Sequence, residues 1–254
     1  MRCTFPLALT FLTVLPWRGL GEVGPGDLAR SMFWFPWVGL ILGLIFWGAL
    51  LGLQSIFSPM VAAALLLTLT VLATRGLHLD GLADTVDGLG GGGTPEKRLA
   101  IMKDSRLGAF GAVSLFLALI LKYSCFLAWA VDRPGPGLIL YPVLSRWGMV
   151  LLAYLSPYAR PEGGLGQAMT RGVSGRVLQG ASLSALVLAL LISRLGGLLL
   201  LIAAVVAVWL LSFYFQKKLG GITGDVLGAA NEVSEILVLV GLLLINNHTP
   251  LFSL

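Results

Sequence analysis

Charged residues are scarce in this chain, where aspartate, glutamate, lysine and arginine together make up 11% of 254 residues. Hydrophobic residues make up 57%, and the mean hydropathy is +0.92. That balance excludes an ordinary soluble domain and favours a polytopic helical membrane protein. Because one span takes about 20 residues, the chain has room for a single membrane domain of roughly six to eight spans.

The chain also lacks the features of several other protein classes. Its two cysteines, Cys3 and Cys125, are far apart, which excludes a disulfide framework and a thiolate metal site. No basic stripe with interleaved aromatic residues is present, so the net charge of +5 does not indicate a nucleic-acid partner. The apolar N-terminus has no small-x-small cleavage site, which predicts that this segment is retained.

The apolar runs predict an all-α helix bundle of about seven spans in a lipid bilayer, formed by one domain, residues 1–254. A helix from Cys3 to Leu15 is too short to cross and is predicted to be re-entrant or interfacial. A turn rich in proline and glycine is expected over residues 132–137. The spans are predicted at residues 32–53, 59–74, 107–131, 138–155, 181–193, 196–215 and 226–245.

The distribution of basic residues predicts how the bundle is oriented. If the N-terminus is cytoplasmic, 13 of the 17 basic residues fall in cytoplasmic segments, Arg133 and Arg194 fall outside, and Lys122 and Arg146 lie within spans. Cytoplasmic loops of membrane proteins carry such an excess of lysine and arginine. The pattern therefore predicts a cytoplasmic N-terminus and places both acidic clusters of the chain on the cytoplasmic side.

One segment, residues 75–111, holds five of the twelve acidic residues and five of the seventeen basic ones. We predict that it is a cytoplasmic catalytic segment. If residues 78–89 are helical, Asp80, Asp84 and Asp87 follow at i, i+4 and i+7 and form one narrow stripe. Neighbouring carboxylates about 6 Å apart repel by roughly 2–3 kcal/mol at an effective dielectric near 20, so a cation should relieve them.

A divalent metal is the simplest such cation. All-oxygen carboxylate ligation selects Mg²⁺, with Mn²⁺ as the second candidate. Asp104 adds a fourth carboxylate between Lys103 and Arg106, and these cations suit a diphosphate during phosphoryl transfer. The alternative is a solvated acidic helix face, with the neighbouring lysines and arginines as counter-ions and ordinary membrane anchors.

A run of four glycines, Gly90 to Gly93, follows the acidic stripe. It lacks the preceding strand of a dinucleotide fold and the following Lys-Ser/Thr of a P-loop. A flexible link and a loop that holds phosphate both remain open. Thr94 and Pro95 then predict the N-cap and first residue of a short helix through Met102.

A second polar cluster begins the last predicted span. Asp225 and Glu232 are seven residues apart, so on a helix they share a face that could complete the site from the opposite side of the bundle. Asn231 and Glu235 belong to the same cluster, and solvated acids at a helix start are the alternative.

Three further polar side chains lie near or within spans. Arg146, in the middle of the fourth span, is expected to pair with a carboxylate or a phosphate. Lys122 could either extend to the membrane surface or face the bundle. His78 is next to the acidic stripe, where it could act as a base or be a polar residue at a helix end.

Two motifs in the charged segment resemble the signature of a known family. LHLDGLADTVDG followed by RLAIMKDSRLGAFG is similar to the signature of the cobalamin synthases, the membrane-bound adenosylcobinamide-GDP ribazoletransferases. The similarity extends through LTFLTVLP, FPWVGLILG, YARPEGGLGQA and GGITGDVLGAANEVSE. Gln167 departs from the residue expected in relatives, so that position is given no role.

The resemblance implies a reaction and its partners. A ribose hydroxyl of α-ribazole, or of its 5'-phosphate, attacks the cobinamide-side phosphorus of adenosylcobinamide-GDP, and GMP is released. The product is adenosylcobalamin or its phosphate. Mg²⁺ as the metal and the cytoplasmic (inner) membrane of a bacterium as the location follow from the same resemblance. The sequence leaves open whether the protein is a homo-oligomer.

Under this hypothesis the polar residues take three roles. Asp84 or Asp87 takes the proton from the attacking hydroxyl. The metal is held by Asp80, Asp84, Asp87 and Asp104. The substrates are bound by His78, Lys103, Ser105, Arg106, Arg146, Asp225, Asn231 and Glu232.

Two other protein classes fit parts of the pattern. A CDP-alcohol phosphotransferase also places clustered aspartates on membrane helices, but its motif needs Ala-Arg after the first Asp-Gly, and here Ala83 is followed by Asp84. A cation transporter should carry its acids near mid-span, whereas these lie at span ends beside basic loops. Both remain alternatives at the level of sequence.

Overall fold

The computed structural model describes residues 4–19, 22–24, 26–131 and 135–248. These residues form helices and connecting turns, with one isolated parallel bridge and no strand, which confirms the all-α prediction. The helices are α1 (Thr4–Leu12), α2 (Asp27–Ser31), α3 (Phe35–Gln54), α4 (Pro59–Ala73), α5 (Leu77–Gly91), α6 (Pro95–Ile101), α7 (Ala109–Val131), α8 (Leu140–Leu155), α9 (Leu165–Gly172), α10 (Gly175–Leu219) and α11 (Gly224–His248).

Helix α8 lies at the centre of the bundle. Most of its side chains are buried, and it packs against α3, α10 and α11. Two glycines of α3 allow a close crossing, because a Cβ at Gly39 would meet the backbone of Val143 and one at Gly43 would meet the backbone of Ile139. Small residues at such crossings are characteristic of membrane helix packing, where backbone approach replaces a hydrophobic driving force.

Helix α10 contains a chain reversal. Ser193 (φ −138°, ψ 21°) and Arg194 (φ 46°, ψ −127°) are not helical. Gly197 packs directly against the backbone of Ala189, eight residues earlier, whereas residues eight apart in a continuous helix are separated by about 12 Å. The helix therefore consists of two arms that fold back on each other, close to the break predicted between residues 193 and 196.

Five described helices are long and apolar enough to cross a membrane, and the bent pair α4 and α5 raises the number to six. This count treats α10 as one helix, and counting its two arms separately would give the predicted seven. The exact number of spans stays a prediction. The first span begins earlier than expected, because α2 and a 3₁₀ turn, Met32–Trp34, run directly into α3.

A short N-terminal helix is present, as predicted, but α1 spans nine residues and ends at Leu12 instead of Leu15, with Ala8, Leu9 and Leu12 buried in the bundle. Its re-entrant or interfacial position stays a prediction. Cys3, at the start of the predicted helix, lies outside the described residues, as do Asp132, Arg133 and Pro134 of the predicted turn. Cys125 is a free, buried cysteine.

The corner between α4 and α5 places the acidic stripe. The two helix axes differ in direction by 85°. Arg75 and Gly76 both have left-handed backbone conformations there, with φ of 56° and 65°. Glycine adopts this conformation without strain, whereas arginine does so at a cost, so the corner is a special feature of the fold. It turns α5 away from the direction of α4 and across the neighbouring helices α7 and α11.

Candidate active site

The acidic stripe lies on a helix, as predicted, and two of its carboxylates face a cleft. Asp80 is exposed and Asp84 is half-buried on α5, and both line a cavity of about 550 Å³. Arg75 and Ser105 line the same cavity. Its other walls are apolar and come from α1 and α7, including Phe11. A cavity with charged groups on one side and apolar walls can hold a polar reacting group and keep water away from it.

Asp80 and Asp84 are free carboxylates. Among the described residues, neither accepts a hydrogen bond or forms an ion pair. Asp84 also experiences the negative charges of Asp80, Asp87 and Asp225, which the cation Arg160 opposes in part. Unrelieved carboxylates one helical turn apart repel each other. The pair is therefore a candidate site for a cation or for a proton.

Asp87 is engaged in a different way. It is buried, and its Oδ2 accepts the backbone N–H of Gly108 at 2.8 Å while its Oδ1 accepts that of Gly111 at 2.8 Å. A Cβ at either glycine would collide with the carboxylate, so both positions need glycine for this contact. In this arrangement Asp87 fixes α5 to the start of α7, and it is not among the residues that line the cleft.

This geometry predicts that Asp87→Asn destabilises the protein. An asparagine can accept only one of the two N–H groups without turning its own amide donors toward the other. Hydrogen bonds to a charged acceptor are worth about 1.5–3 kcal/mol each, so we expect a loss of about 2 kcal/mol in unfolding free energy. Denaturation of the purified protein in detergent would measure it. A variant with unchanged stability and no turnover would instead favour a direct role of Asp87 in the chemistry.

The charged residues of the α6–α7 connection form their own ion pairs. Arg106 pairs with Asp104 through its guanidinium, at 2.6 Å, and these hydrogen bonds lower the pKa of the Asp104 carboxyl to about 2. Lys103 pairs with Glu162, which belongs to the connection between α8 and α9. Asp104, Lys103 and Arg106 therefore lie at the rim with partners of their own, and of this group only Ser105 lines the cleft. Their predicted roles stay predictions.

A second, smaller cavity of about 290 Å³ adjoins the first, and Asp80 lines both. Asp225 lies in its wall, where it accepts a hydrogen bond from Arg160 at 2.8 Å. The segment that carries Arg160 is held by two backbone hydrogen bonds, from Ala159 to Ile222 and from Ile222 to Pro157, both 2.9 Å. The two predicted acidic clusters are thus brought together, with Asp225 beside Asp80.

The rest of the second cluster lies deeper, in a buried charge network. The Lys122 ammonium donates to Glu232 and to Glu235, each at 2.5 Å, and Arg146 pairs with Glu235. All four side chains are at most 5% exposed. Two cations and two carboxylates balance, and the network joins α7, α8 and α11. Arg146 thus has the carboxylate partner that was one of its two predicted partners, and Lys122 faces the bundle.

His78 connects this network to α5. Its Nδ1 lies 3.0 Å from the amide nitrogen of Asn231, which also donates to Glu235 at 3.1 Å. His78, Glu232 and Glu235 are the one group of three metal-ligating side chains with convergent ligand atoms among the described residues. Because both carboxylates are already neutralised by Lys122 and Arg146, we assign no metal to this group. The four aspartates predicted as ligands do not converge in this way.

The glycine run serves helix packing. Gly90 and Gly91 complete α5, and a Cβ at Gly90 would collide with the Phe110 ring. Gly92 lies against the backbone of Arg98, whose guanidinium donates to the Gly92 carbonyl at 2.9 Å. None of these glycines lines either cavity. The short helix after the run was predicted correctly, with the Thr94 side chain as its N-cap.

Sequence reasoning missed two cations of the site, Arg75 and Arg160. Arg75 was counted only as a basic loop residue, although it directly precedes the acidic helix and lines the larger cavity. Arg160 lines the smaller cavity, and its signal was its place in the YARPEGGLGQA segment, one of the stretches that resemble the family. Spacing alone does not reveal either contact, because both depend on how loops return to α5.

Comparisons with known proteins identify the family of this chain. The sequence profile of the family described as cobalamin-5-phosphate synthase matches residues 4–243. A protein of Syntrophobacter fumaroxidans named adenosylcobinamide-GDP ribazoletransferase is 45% identical, over 92% of this chain and 96% of its own length. Proteins of the same name from Desulfitobacterium hafniense and Pseudomonas putida are 41% and 43% identical, over 92% and 94% of this chain and 94% and 98% of their own lengths.

No solved structure matches the chain. The family match covers both cavities, the corner at Arg75 and the buried charge network. Helices with the length and composition of membrane spans make the protein a multi-pass membrane protein. This chain belongs to the cobalamin-5-phosphate synthase family.

Proposed function

We propose that the protein is a transferase that joins α-ribazole, or its 5'-phosphate, to the cobinamide phosphate of adenosylcobinamide-GDP, with release of GMP. The names of relatives at 41–45% identity across nearly the whole chain support this reaction. The bond that forms links a ribose oxygen to the cobinamide-side phosphorus, and the bond that breaks is the phosphoanhydride to GMP.

The observation that carries the proposal is the free carboxylate pair of Asp80 and Asp84 beside Arg75 in the larger cavity. Transfer of a substituted phosphoryl group needs a cation for the diphosphate charge and an acceptor for the hydroxyl proton. Arg75 supplies a permanent positive charge and a planar guanidinium that suits phosphate oxygens. Asp84, deeper in the cavity, is placed to accept the proton from the attacking hydroxyl.

The donors of this cavity also fit Mg²⁺. Asp80 and Asp84 offer only carboxylate oxygens, and hard divalent cations prefer oxygen ligands to nitrogen or sulfur. When bound, Mg²⁺ would neutralise charge on the diphosphate and on the departing GMP. The chain itself would position the diphosphate through Arg75 and exclude water with apolar walls such as Phe11. Mn²⁺ is the second candidate.

Release of GMP tests the proposal directly. The purified protein in detergent or liposomes would be incubated with adenosylcobinamide-GDP and α-ribazole, with and without excess EDTA, and GMP quantified by chromatography. We expect release only when both substrates are present, its loss with EDTA, and its recovery on adding Mg²⁺ beyond the chelator. If folded protein supplied with Mg²⁺ released no GMP, the proposed reaction would be wrong. If EDTA did not affect GMP release, the proposed metal requirement would be wrong.

We also propose that the site faces the cytoplasm of a bacterial cytoplasmic membrane. The support is the charge asymmetry of the sequence together with contacts among the three segments assigned to that side. Lys103 reaches Glu162, and the Arg98 guanidinium donates to the Lys218 carbonyl at 2.8 Å. A cytoplasmic site has access to GTP-derived substrates. The variant Arg106→Cys places a thiol at an exposed position on the side predicted to be cytoplasmic. A thiol reagent that cannot cross the membrane should label this cysteine only after the cells are opened.

A further inference from the structure

Two cavities meet at Asp80, and a reaction that joins two substrates needs two binding places at one reacting centre. The larger cavity extends toward α7 through Leu115 and Leu119. The smaller cavity extends toward α8, α9 and α11. Among the described residues, Phe11, Leu77 and Asp80 alone line both cavities. If the proposed function holds, on which this assignment rests, each cavity receives one of the two substrates.

Size separates the two substrates. The smaller cavity measures about 290 Å³, at the lower end of the roughly 300–1,000 Å³ typical of small-molecule pockets. One nucleoside fits such a space, whereas a corrin macrocycle with its side chains does not. The larger cavity is about 550 Å³, is open to the surroundings, and has the free carboxylates in its floor. The diphosphate end of the donor therefore belongs in the larger cavity, with the corrin ring outside its open mouth.

The wall chemistry of the smaller cavity selects among nucleosides. Met149, Met169 and Leu227 give it an apolar lining, and the two methionines are 3% and 2% exposed. Thioether groups pack well against aromatic rings and adapt to their shape. A guanine base placed against these three side chains would leave hydrogen-bonding groups unpaired, which is costly. A dimethylbenzimidazole base has an apolar, methylated edge that the lining can cover.

The polar end of the smaller cavity lies beside the reacting centre. Asp80 and Asp225 line it there, and Arg160 donates a hydrogen bond to Asp225. We propose that the smaller cavity is the acceptor subsite, with the dimethylbenzimidazole base of α-ribazole between Met149 and Met169 and its ribose directed past Asp80 into the larger cavity, where Asp84 accepts the hydroxyl proton. The diphosphate of adenosylcobinamide-GDP occupies the larger cavity, so both substrates are bound at the same time.

Kinetics of Met169→Ala test the subsite. The truncated side chain removes contacts with the base, and one methylene in an apolar pocket is commonly worth 10-fold or more. We expect the KM for α-ribazole to rise about tenfold, the KM for adenosylcobinamide-GDP to change less than about twofold, and Met169→Leu to restore the acceptor KM. Met60→Ala is the matched control, since Met60 is 63% exposed on α4, and it should leave both KM values unchanged.

A change in the donor KM alone, or no change in either KM, would overturn the assignment while GMP release by the wild-type protein kept the proposed function intact. A second measurement needs no variant and so does not depend on folding of Met169→Ala. Equilibrium dialysis of labelled α-ribazole on the wild-type protein, with and without saturating adenosylcobinamide, should give dissociation constants within about twofold of each other if the cavities are separate. Competition between the two ligands would place them in one cavity and refute the inference.

Discussion

Asp84→Asn is expected to lower kcat by about 10²–10⁴-fold, the usual contribution of a positioned proton acceptor. The amide keeps the size of the carboxyl and cannot take the hydroxyl proton. Removal of one charge from a repelling group should not lower stability. Asp84 has no ion-pair partner among the described residues, and the repulsion from three carboxylates, Asp80, Asp87 and Asp225, outweighs the attraction of Arg160. A folded, inactive variant with equal or higher thermal stability is therefore the expected result.

Steady-state GMP release and thermal unfolding of the same preparations would measure both properties. Glu96→Gln is the matched control, because Glu96 is exposed on α6 and lines neither cavity, and it should keep wild-type kcat. Activity within about threefold of wild type in Asp84→Asn would return the acidic stripe to its alternative interpretation as a solvated helix face.

Glu235→Gln is expected to lower the free energy of unfolding by about 3–5 kcal/mol, because Lys122 keeps Glu232 as a partner while the buried Arg146 loses its carboxylate. Glu235 contacts both Lys122 and Arg146, and all three side chains are at most 5% exposed. The same substitution at the surface costs little: Glu162→Gln breaks the pair with Lys103, in which both side chains are about half exposed (51% and 49%), and should leave the free energy of unfolding nearly unchanged.

The double variant Lys122→Met with Glu235→Gln separates charge balance from packing. If the charge imbalance causes the damage, the double variant, which removes one charge of each sign, should be more stable than Glu235→Gln alone. Thermal or denaturant unfolding of the wild type, the two single variants and the double variant in the same detergent would complete this double-mutant cycle. Additive losses in the two single variants would show that the network acts through packing and not through charge.

Most of the fold could be predicted from periodicity and composition, and the site only in part. The stripe of Asp80, Asp84 and Asp87 follows from helical spacing, and the structure confirms that all three lie on α5. Spacing could not separate Asp87, which binds two backbone N–H groups 21 and 24 residues away, from the two that remain free. The partners depend on how α7 begins, and this is a property of the packed bundle.

Long-range pairing was equally hidden. Lys122 pairs with Glu232, 110 residues further along the chain, and Arg146 pairs with Glu235, 89 residues further along. No feature of the sequence near either cation indicates these partners. The sequence offered the correct general expectation, that a buried cation in a span needs a counter-charge. The family resemblance could identify the reaction because it compares whole motifs, whereas the chemistry of single residues leaves several phosphotransfer enzymes open.

The buried charge network also sets an order for biosynthesis. Lys122 and Arg146 are on α7 and α8, and both of their carboxylate partners are on α11, the last helix. At about 5–20 residues per second, ribosomes finish α11 several seconds after the two cations have been made. During that interval the cations are in a nascent chain that has no counter-charge for them. The completed bundle therefore depends on the arrival of its last helix, and a chain that stops before Glu232 should be recognised and degraded as unassembled.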